Sequence, residues 1–151
     1  IGRSKEDREA VAWALAETRL EAMRERQVMS LSGGERQRAW IAMALARQPE
    51  YLLLDEPTTY LDIAHQLEVM EIIKRLNREH AMTVIMVLHD INHALQYADE
   101  IAVIKNKRIF STGAPHDVLN VAMLAEVFGV RADIFTNSQG AQVLSPVSLV
   151  R

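Results

Sequence analysis

The sequence contains no cysteine. A disulfide framework and a thiolate metal site are both excluded, and a cytosolic setting is the natural expectation. Long apolar runs are missing too. The longest, Ala39–Ala46, is half alanine and falls far short of the about 20 consecutive apolar residues that cross a bilayer. The opening Ile1-Gly2-Arg3-Ser4-Lys5 leads into charged residues, so it does not read as a signal peptide, and with no initial methionine something upstream is expected. Excess positive charge is absent: the net charge is -3 and the pI is near 6.0. That balance argues against a nucleic-acid partner, which calls for a basic domain or stripe. Glycine is sparse, at positions 2, 33, 34, 113, 129 and 140, and none precedes a lysine. The phosphate-cradling pattern G-x-x-x-x-G-K-[ST] therefore does not occur.

What is present suits a folded domain. With 151 residues, 49% apolar and 25% charged, the chain is one domain or a piece of a larger one, and it can bury a real core. Charged, helix-favouring residues run from Lys5 to about Arg26, with Val11, Ala14, Leu15 and Thr18 at helical spacing. Ser32 and Glu35 make a capping box for a second helix, with Trp40, Ile41, Ala44 and Leu45 as its stripe and Pro49 as its stop. Tyr51–Leu54 and Thr83–Leu88 read as short buried parallel strands. Between them, Asp62 caps a helix running to about His80, with Leu67, Met70, Ile73 and Leu76 on one face. Ile91–Ala98 predicts a short helix, and Ile101–Ile104 and Arg108–Ser111 predict a hairpin through Lys105-Asn106-Lys107. Two short helices follow, near Pro115–Leu119 and Ala122–Phe128; the remaining tail has no pattern that assigns it. No repeat is visible. The order predicts an α/β fold with a mainly parallel sheet.

In an open parallel sheet, ligands sit at the carboxyl ends of the strands. Two strands here end in reactive residues: Asp55-Glu56 after the first, His89 after the second. Two acids at a strand end suit a magnesium ion, which takes one or two carboxylates plus water and phosphate oxygens, and the second acid can serve as a general base. A neighbouring histidine can hold water or sense a phosphate. Solvated strand ends and packed histidines are the commoner uses of such residues. Gly33 and Gly34 at a helix start leave backbone N–H groups open to an anion, or else form an ordinary flexible cap.

LSGGERQR at 31–38 resembles the signature motif of ATP-binding-cassette proteins. YLLLDEPTTYLD at 51–62 resembles their Walker B segment and D-loop, and VIMVLHD at 84–90 the strand leading to the switch histidine. HDINHALQYADEIAVIKNKRIFSTGAP is similar to the stretch after the switch in importer-type members. EPTTYLDIAHQLEV and AEVFGV are most like the subgroup serving uptake of ferric siderophores, haem or cobalamin.

The resemblance implies a P-loop NTPase-type core, here the carboxy-terminal half of its mainly parallel sheet with flanking helices. Residues 1–48 would be the end of a helical subdomain with the signature helix, 49–112 part of the catalytic core, and 113–151 carboxy-terminal helices and a tail. By the same resemblance Asp55 would hold magnesium, Glu56 would be the general base for water, and His89 would contact the γ-phosphate. Asp62 would belong to the D-loop. Ser32, Gly33, Gly34 and Glu35 would close over the ATP of a facing subunit; glutamate at position 35 departs from the commoner glutamine. ATP and magnesium, a second ATPase subunit in a homodimer, and integral-membrane permease subunits are the implied cofactors and partners. The implied place is the cytoplasmic face of the membrane. With the glutamine loop and adenine-stacking aromatic also expected upstream of residue 1, the chain reads as a fragment inactive by itself. A soluble ATP-binding-cassette ATPase of repair or translation, or a non-enzymatic interaction module, are the alternatives.

Overall fold

The computed structural model describes residues 4–151, so the opening Ile1-Gly2-Arg3 lies outside the described residues. The chain forms two compact units, residues 1–88 and 89–151. The motif-based division set its boundaries elsewhere, after residues 48 and 112.

The first unit begins with helix α1 (Lys5–Glu17), opened by a capping box between Ser4 and Asp7. The predicted helix to Arg26 stops nine residues early. Thr18 turns its hydroxyl back onto the Ala14 carbonyl at 2.8 Å, and Arg19 enters the left-handed region at φ 57°. The Leu20 N–H then closes onto Leu15 O at 2.8 Å, which satisfies an end carbonyl and redirects the chain. Two single 3-10 turns, Glu21–Met23 and Val28–Ser30, lead to helix α2 (Gly33–Leu45).

Strands β1 (Tyr51–Asp55) and β2 (Thr83–Val87) pair in parallel, with Leu53 opposite Ile85 and Asp55 opposite Val87. Between them runs helix α3 (Ile63–His80), which buries Val69, Met70, Ile72, Ile73 and Leu76. Each such side chain contributes about 1.5–3 kcal/mol by burial. Leu67 is exposed, one position off that face, and Trp40 on α2 is exposed where Ile41, Ala42 and Leu45 are buried. Helix α1 is tied to α3 by charge: Glu17 accepts from Arg75 Nε and pairs with His80 Nε2, both at 3.0 Å.

Both strands were expected to be buried on both faces, and each is covered on one face only. Leu53 is 70% exposed and Ile85 58%. Successive side chains alternate between faces. Helices cover the face carrying Leu52, while nothing among the described residues covers the face carrying Tyr51, Leu53, Ile85 and Val87.

The second unit contains helix α4 (Ile91–Tyr97), the antiparallel pair β3 (Ile101–Lys105) and β4 (Arg108–Gly113), and short helices α5 (Pro115–Val118) and α6 (Val121–Met123). A π-helical turn over Leu124–Phe128 follows α6. The β3–β4 turn places Asn106 and Lys107 at φ 50° and 61°, the left-handed pair that matches strand twist in a two-residue hairpin. The unassigned tail is a second hairpin, β5 (Val130–Thr136) with β6 (Gln142–Leu149). Among the described residues, parallel pairing is thus confined to β1–β2. Leu95, Val103, Leu119, Leu124 and Leu144 anchor this unit's core.

Candidate functional site

β1 delivers the acidic pair. Asp55 is its last residue, exposed, at the carboxyl end of the strand. Glu56 leaves the sheet through a left-handed backbone, φ 47°, while its N–H still donates to Val87 O at 3.1 Å. A left-handed non-glycine residue carries strain of about 1–2 kcal/mol, which is held only where neighbours enforce it. Pro57 and Thr58, which follow it, are buried. Thr59 completes the arrangement: its hydroxyl donates to Glu56 Oε2 at 3.0 Å, and its N–H donates to Glu56 O at 3.2 Å. The carboxylate of Glu56 is therefore aimed by a residue that the sequence reading did not single out, although its three-residue spacing after Glu56 was visible.

The segment between β1 and α3 is fixed from below. Gln66 Nε2 donates to Leu61 O at 3.1 Å and to Thr58 O at 3.4 Å. Tyr60, at φ 65°, is fully exposed. Asp62 is the N-cap of α3, as its place before an apolar-periodic run predicts. Its Oδ1 accepts from the His65 N–H at 3.0 Å and contacts His65 Nδ1 at 2.7 Å. Those bonds, the backbone one first, hold the carboxyl below the usual aspartate value.

Helix α2 starts with the predicted capping box. Ser32 Oγ accepts from the Glu35 N–H at 3.2 Å, and Glu35 Oε2 accepts from the Ser32 N–H at 2.7 Å. The bond from the Ser32 backbone is the main reason that the Glu35 carboxyl lies below its ordinary value. The two glycines differ. A Cβ on Gly33 would meet nothing within 4 Å, so its backbone lies open to an approaching group. Gly34 is buried, and a Cβ there would stand 2.1 Å from His65 Cδ2. Openness is a property of Gly33; Gly34 is glycine because of what it packs against.

His89 opens the second unit as an exposed residue, followed by Asp90, which caps α4 by accepting from the Asn92 and His93 N–H groups at 2.8 and 3.0 Å. Asp55, Glu56, Asp62 and the Ser32–Glu35 segment lie together in the first unit.

The donor set decides which cation could fit. Among the described residues no group of three or more His, Cys, Asp or Glu is placed to hold a metal. A single exposed carboxylate at a strand end does suit magnesium, which keeps most of its water and takes phosphate oxygens rather than an all-protein cage.

Similarity to known proteins agrees with these features. The family described as ABC transporter matches residues 2–59. The petrobactin import ATP-binding protein FpuC of Bacillus anthracis is 57% identical over 136 residues, covering 90% of this chain and 50% of that protein. The iron(3+)-hydroxamate import ATP-binding protein FhuC of Bacillus subtilis is 47% identical over 87% of this chain and 49% of its own length. The chain thus spans about half the length of the curated relatives it matches. Among solved structures, an inward-facing ABC transporter described as of metal-chelate type superposes with a TM-score of 0.89 at 28% identity, covering 97% of this chain and 60% of that one. An ATP-binding cassette captured as a dimer with ADP and Pi superposes with a TM-score of 0.63 at 34% identity, over 76% of this chain and 50% of that one. Residues 2–59 thus belong to the ABC transporter family, and over most of its length the chain is similar to the ATP-binding proteins of iron-chelate importers.

Proposed function

We propose that this chain is the carboxy-terminal part of the ATP-hydrolysing subunit of an importer for ferric siderophores or a related iron chelate. The observation that carries the hydrolytic reading is the end of β1, where an exposed Asp55 is followed by Glu56 in a left-handed turn with its carboxylate aimed by Thr59. In the reaction, Glu56 would accept the proton of an attacking water, and the Thr59 hydroxyl would keep that carboxylate in one orientation. Asp55 would hold magnesium, which when bound supplies charge neutralisation for the phosphate oxygens. His89 would face the terminal phosphate. Ser32 and Gly33, backed by Gly34 and Glu35 at the start of α2, would meet ATP held by a second copy of the subunit; the open space over Gly33 and the helix dipole both favour an anion there.

The fully exposed Tyr60 and the Asp62 loop fit a surface that meets that second subunit, and two of the solved relatives are described as dimeric cassettes. Membrane association would come through permease partners at the cytoplasmic face, since among the described residues no helix is long and apolar enough to cross a membrane. The iron-chelate assignment draws on the relatives: their names specify petrobactin import, iron(3+)-hydroxamate import and ferric enterobactin transport.

The test is Glu56→Gln in the full-length protein assembled with its membrane partners. Turnover of ATP is expected to fall by about 10²–10⁴ while nucleotide-driven dimer closure persists. Wild-type turnover in that variant would remove Glu56 from the role of base.

A further inference from the structure

Gly34 and His65 meet more closely than any side chain at position 34 would permit. A Cβ on Gly34 would lie 2.1 Å from His65 Cδ2, 2.5 Å from Cγ and 2.9 Å from Nε2, so the imidazole lies against the bare Cα of the second residue of α2. The same ring reaches Asp62 with its other edge, Nδ1 to Oδ1 at 2.7 Å. A carboxylate accepts, so Nδ1 carries the proton. Asp62 in turn receives the His65 N–H and caps α3. One half-buried side chain therefore touches both the start of the signature helix and the residue that ends the loop after β1.

We infer that His65 is a positioning residue of the nucleotide interface, coupling the Asp62 loop to the Ser32–Gly34 turn so that the two move as one piece. This inference rests on the proposed ATPase reading for its functional consequence, though not for the contact itself. The roles implied by the motifs leave His65 without one, and its contacts are with Asp62 and the Cα of Gly34. Its effect on the reaction would run through Asp62 and Gly34. If the two segments sit against a facing subunit, a slack joint between them would misplace one contact whenever the other forms. A misplacement of about 1 Å can cost about 10²-fold in rate without any loss of substrate affinity.

The variants that separate this role from simple packing are His65→Asn and His65→Gln. The amide nitrogen of asparagine falls near the position of Nδ1 and can still donate to Asp62, whereas that of glutamine falls near Nε2. In the full-length protein with its membrane partners, His65→Gln is expected to lower kcat for ATP about 10- to 100-fold with KM within about twofold. His65→Asn is expected to keep kcat within about threefold of wild type. Turnover of His65→Gln like wild type, or an equal loss in both variants, would overturn the proposal.

A second readout needs no ATP. Amide hydrogen exchange without nucleotide is expected to speed up in His65→Gln at both Ser32–Arg36 and Thr59–Asp62, and to remain slow in His65→Asn. Faster exchange in only one segment, or in neither, would overturn the coupling. If wild type hydrolysed no ATP, the ATPase reading would fall and the exchange result would still decide the joint. The close contact itself is tested by Gly34→Ala, which should lower Tm, with His65→Ala in the same protein restoring most of the loss. Additive losses would mean that the ring is not wedged against Gly34.

Discussion

Replacing Glu68 by leucine would expose how much of the α2–α3 contact is electrostatic. Arg38 lies one turn beyond Gly34 on α2, and its side chain is only 10% exposed. Its Nη1 stands 3.2 Å from Oε2 of Glu68 on α3. Arg38 Nε and Glu68 Oε2 are nonetheless buried without a well-formed hydrogen bond, so the pair is held by charge more than by aligned donors. A guanidinium cannot shed its proton. Removing Glu68 therefore leaves a cation in a poorly hydrated place.

The size follows from the geometry. At 3.2 Å and an effective dielectric constant near 20, two unit charges attract by about 5 kcal/mol before desolvation. The Glu68 side chain is 38% exposed and misaligned, so water screens part of that attraction. A loss of about 2–3 kcal/mol is expected for Glu68→Leu, just under the 3–5 kcal/mol typical of breaking a fully buried pair. Arg38→Met combined with Glu68→Leu removes both charges and should return to within about 1 kcal/mol of the parent protein. Urea unfolding of the two single variants and the double measures this, with an unchanged m-value as the condition for comparing midpoints. If Glu68→Leu cost less than about 0.5 kcal/mol, the value of an ordinary surface pair, the burial argument would fail.

The capping box carries a pH signature. Because the folded-state pKa of Glu35 is depressed, its stabilising contribution is complete above its ordinary value of 4.5 and is lost as pH falls through the lower folded value. Glu35→Gln keeps an acceptor for the Ser32 N–H, so it should flatten the part of the acid stability slope due to this residue; Ser32→Ala should cost about 1 kcal/mol at neutral pH. Chemical unfolding measured across the acid range reads both, and an unchanged slope in Glu35→Gln would refute the assignment. In the second unit, Asn92 donates to Leu144 O at 3.0 Å and accepts from Leu144 N–H at 2.9 Å. Asn92→Ala should cost about 1–3 kcal/mol. Its signature is faster amide exchange in β6 without a matching change in β3–β4, and equal exchange in both would refute the assignment.

Features set by local chemistry were readable in the sequence. The two capping residues Ser32 and Asp62, the ends of α3 and the Asn106-Lys107 turn all follow from side chains within a few positions of one another, and the parallel pairing of β1 with β2 follows from the strand–helix–strand order. Features set by distant partners were not. Nothing near Arg19 announces that α1 ends there, because arginine has no preference for a left-handed φ. The β5–β6 hairpin hid behind a register shift between Arg131 and Ala132, which breaks the alternation of side chains. Pro146 lies opposite Ala132 beside that shift, and a proline inside a run normally argues against a strand. The exposure of Leu53 and Ile85 was equally hidden, since an apolar run indicates that a strand wants cover but not which face receives it.

The candidate site shows the same division and adds a reason for it. Asp55, Glu56, Asp62 and the Ser32–Glu35 turn could be proposed from the sequence because they stand inside the motifs that carry the resemblance. Thr59 and His65 could not, because each works on another residue: one aims a carboxylate, the other fills the space over a glycine. Gly34 makes the point sharply. As a member of a glycine pair it reads as an opening for an anion, yet it is Gly33 that faces open space, while Gly34 admits an imidazole from α3. Four residues on, the next contact along α2 is Arg38 against Glu68, and beyond it Ile41, Ala42 and Leu45 continue the same buried face. The start of α2 and the start of α3 are therefore braced at two successive turns, first by close packing and then by charge. A brace of that kind resists sliding and rotation together. It requires that any displacement of the Asp62 loop be felt at Ser32, whichever of the two a partner touches first.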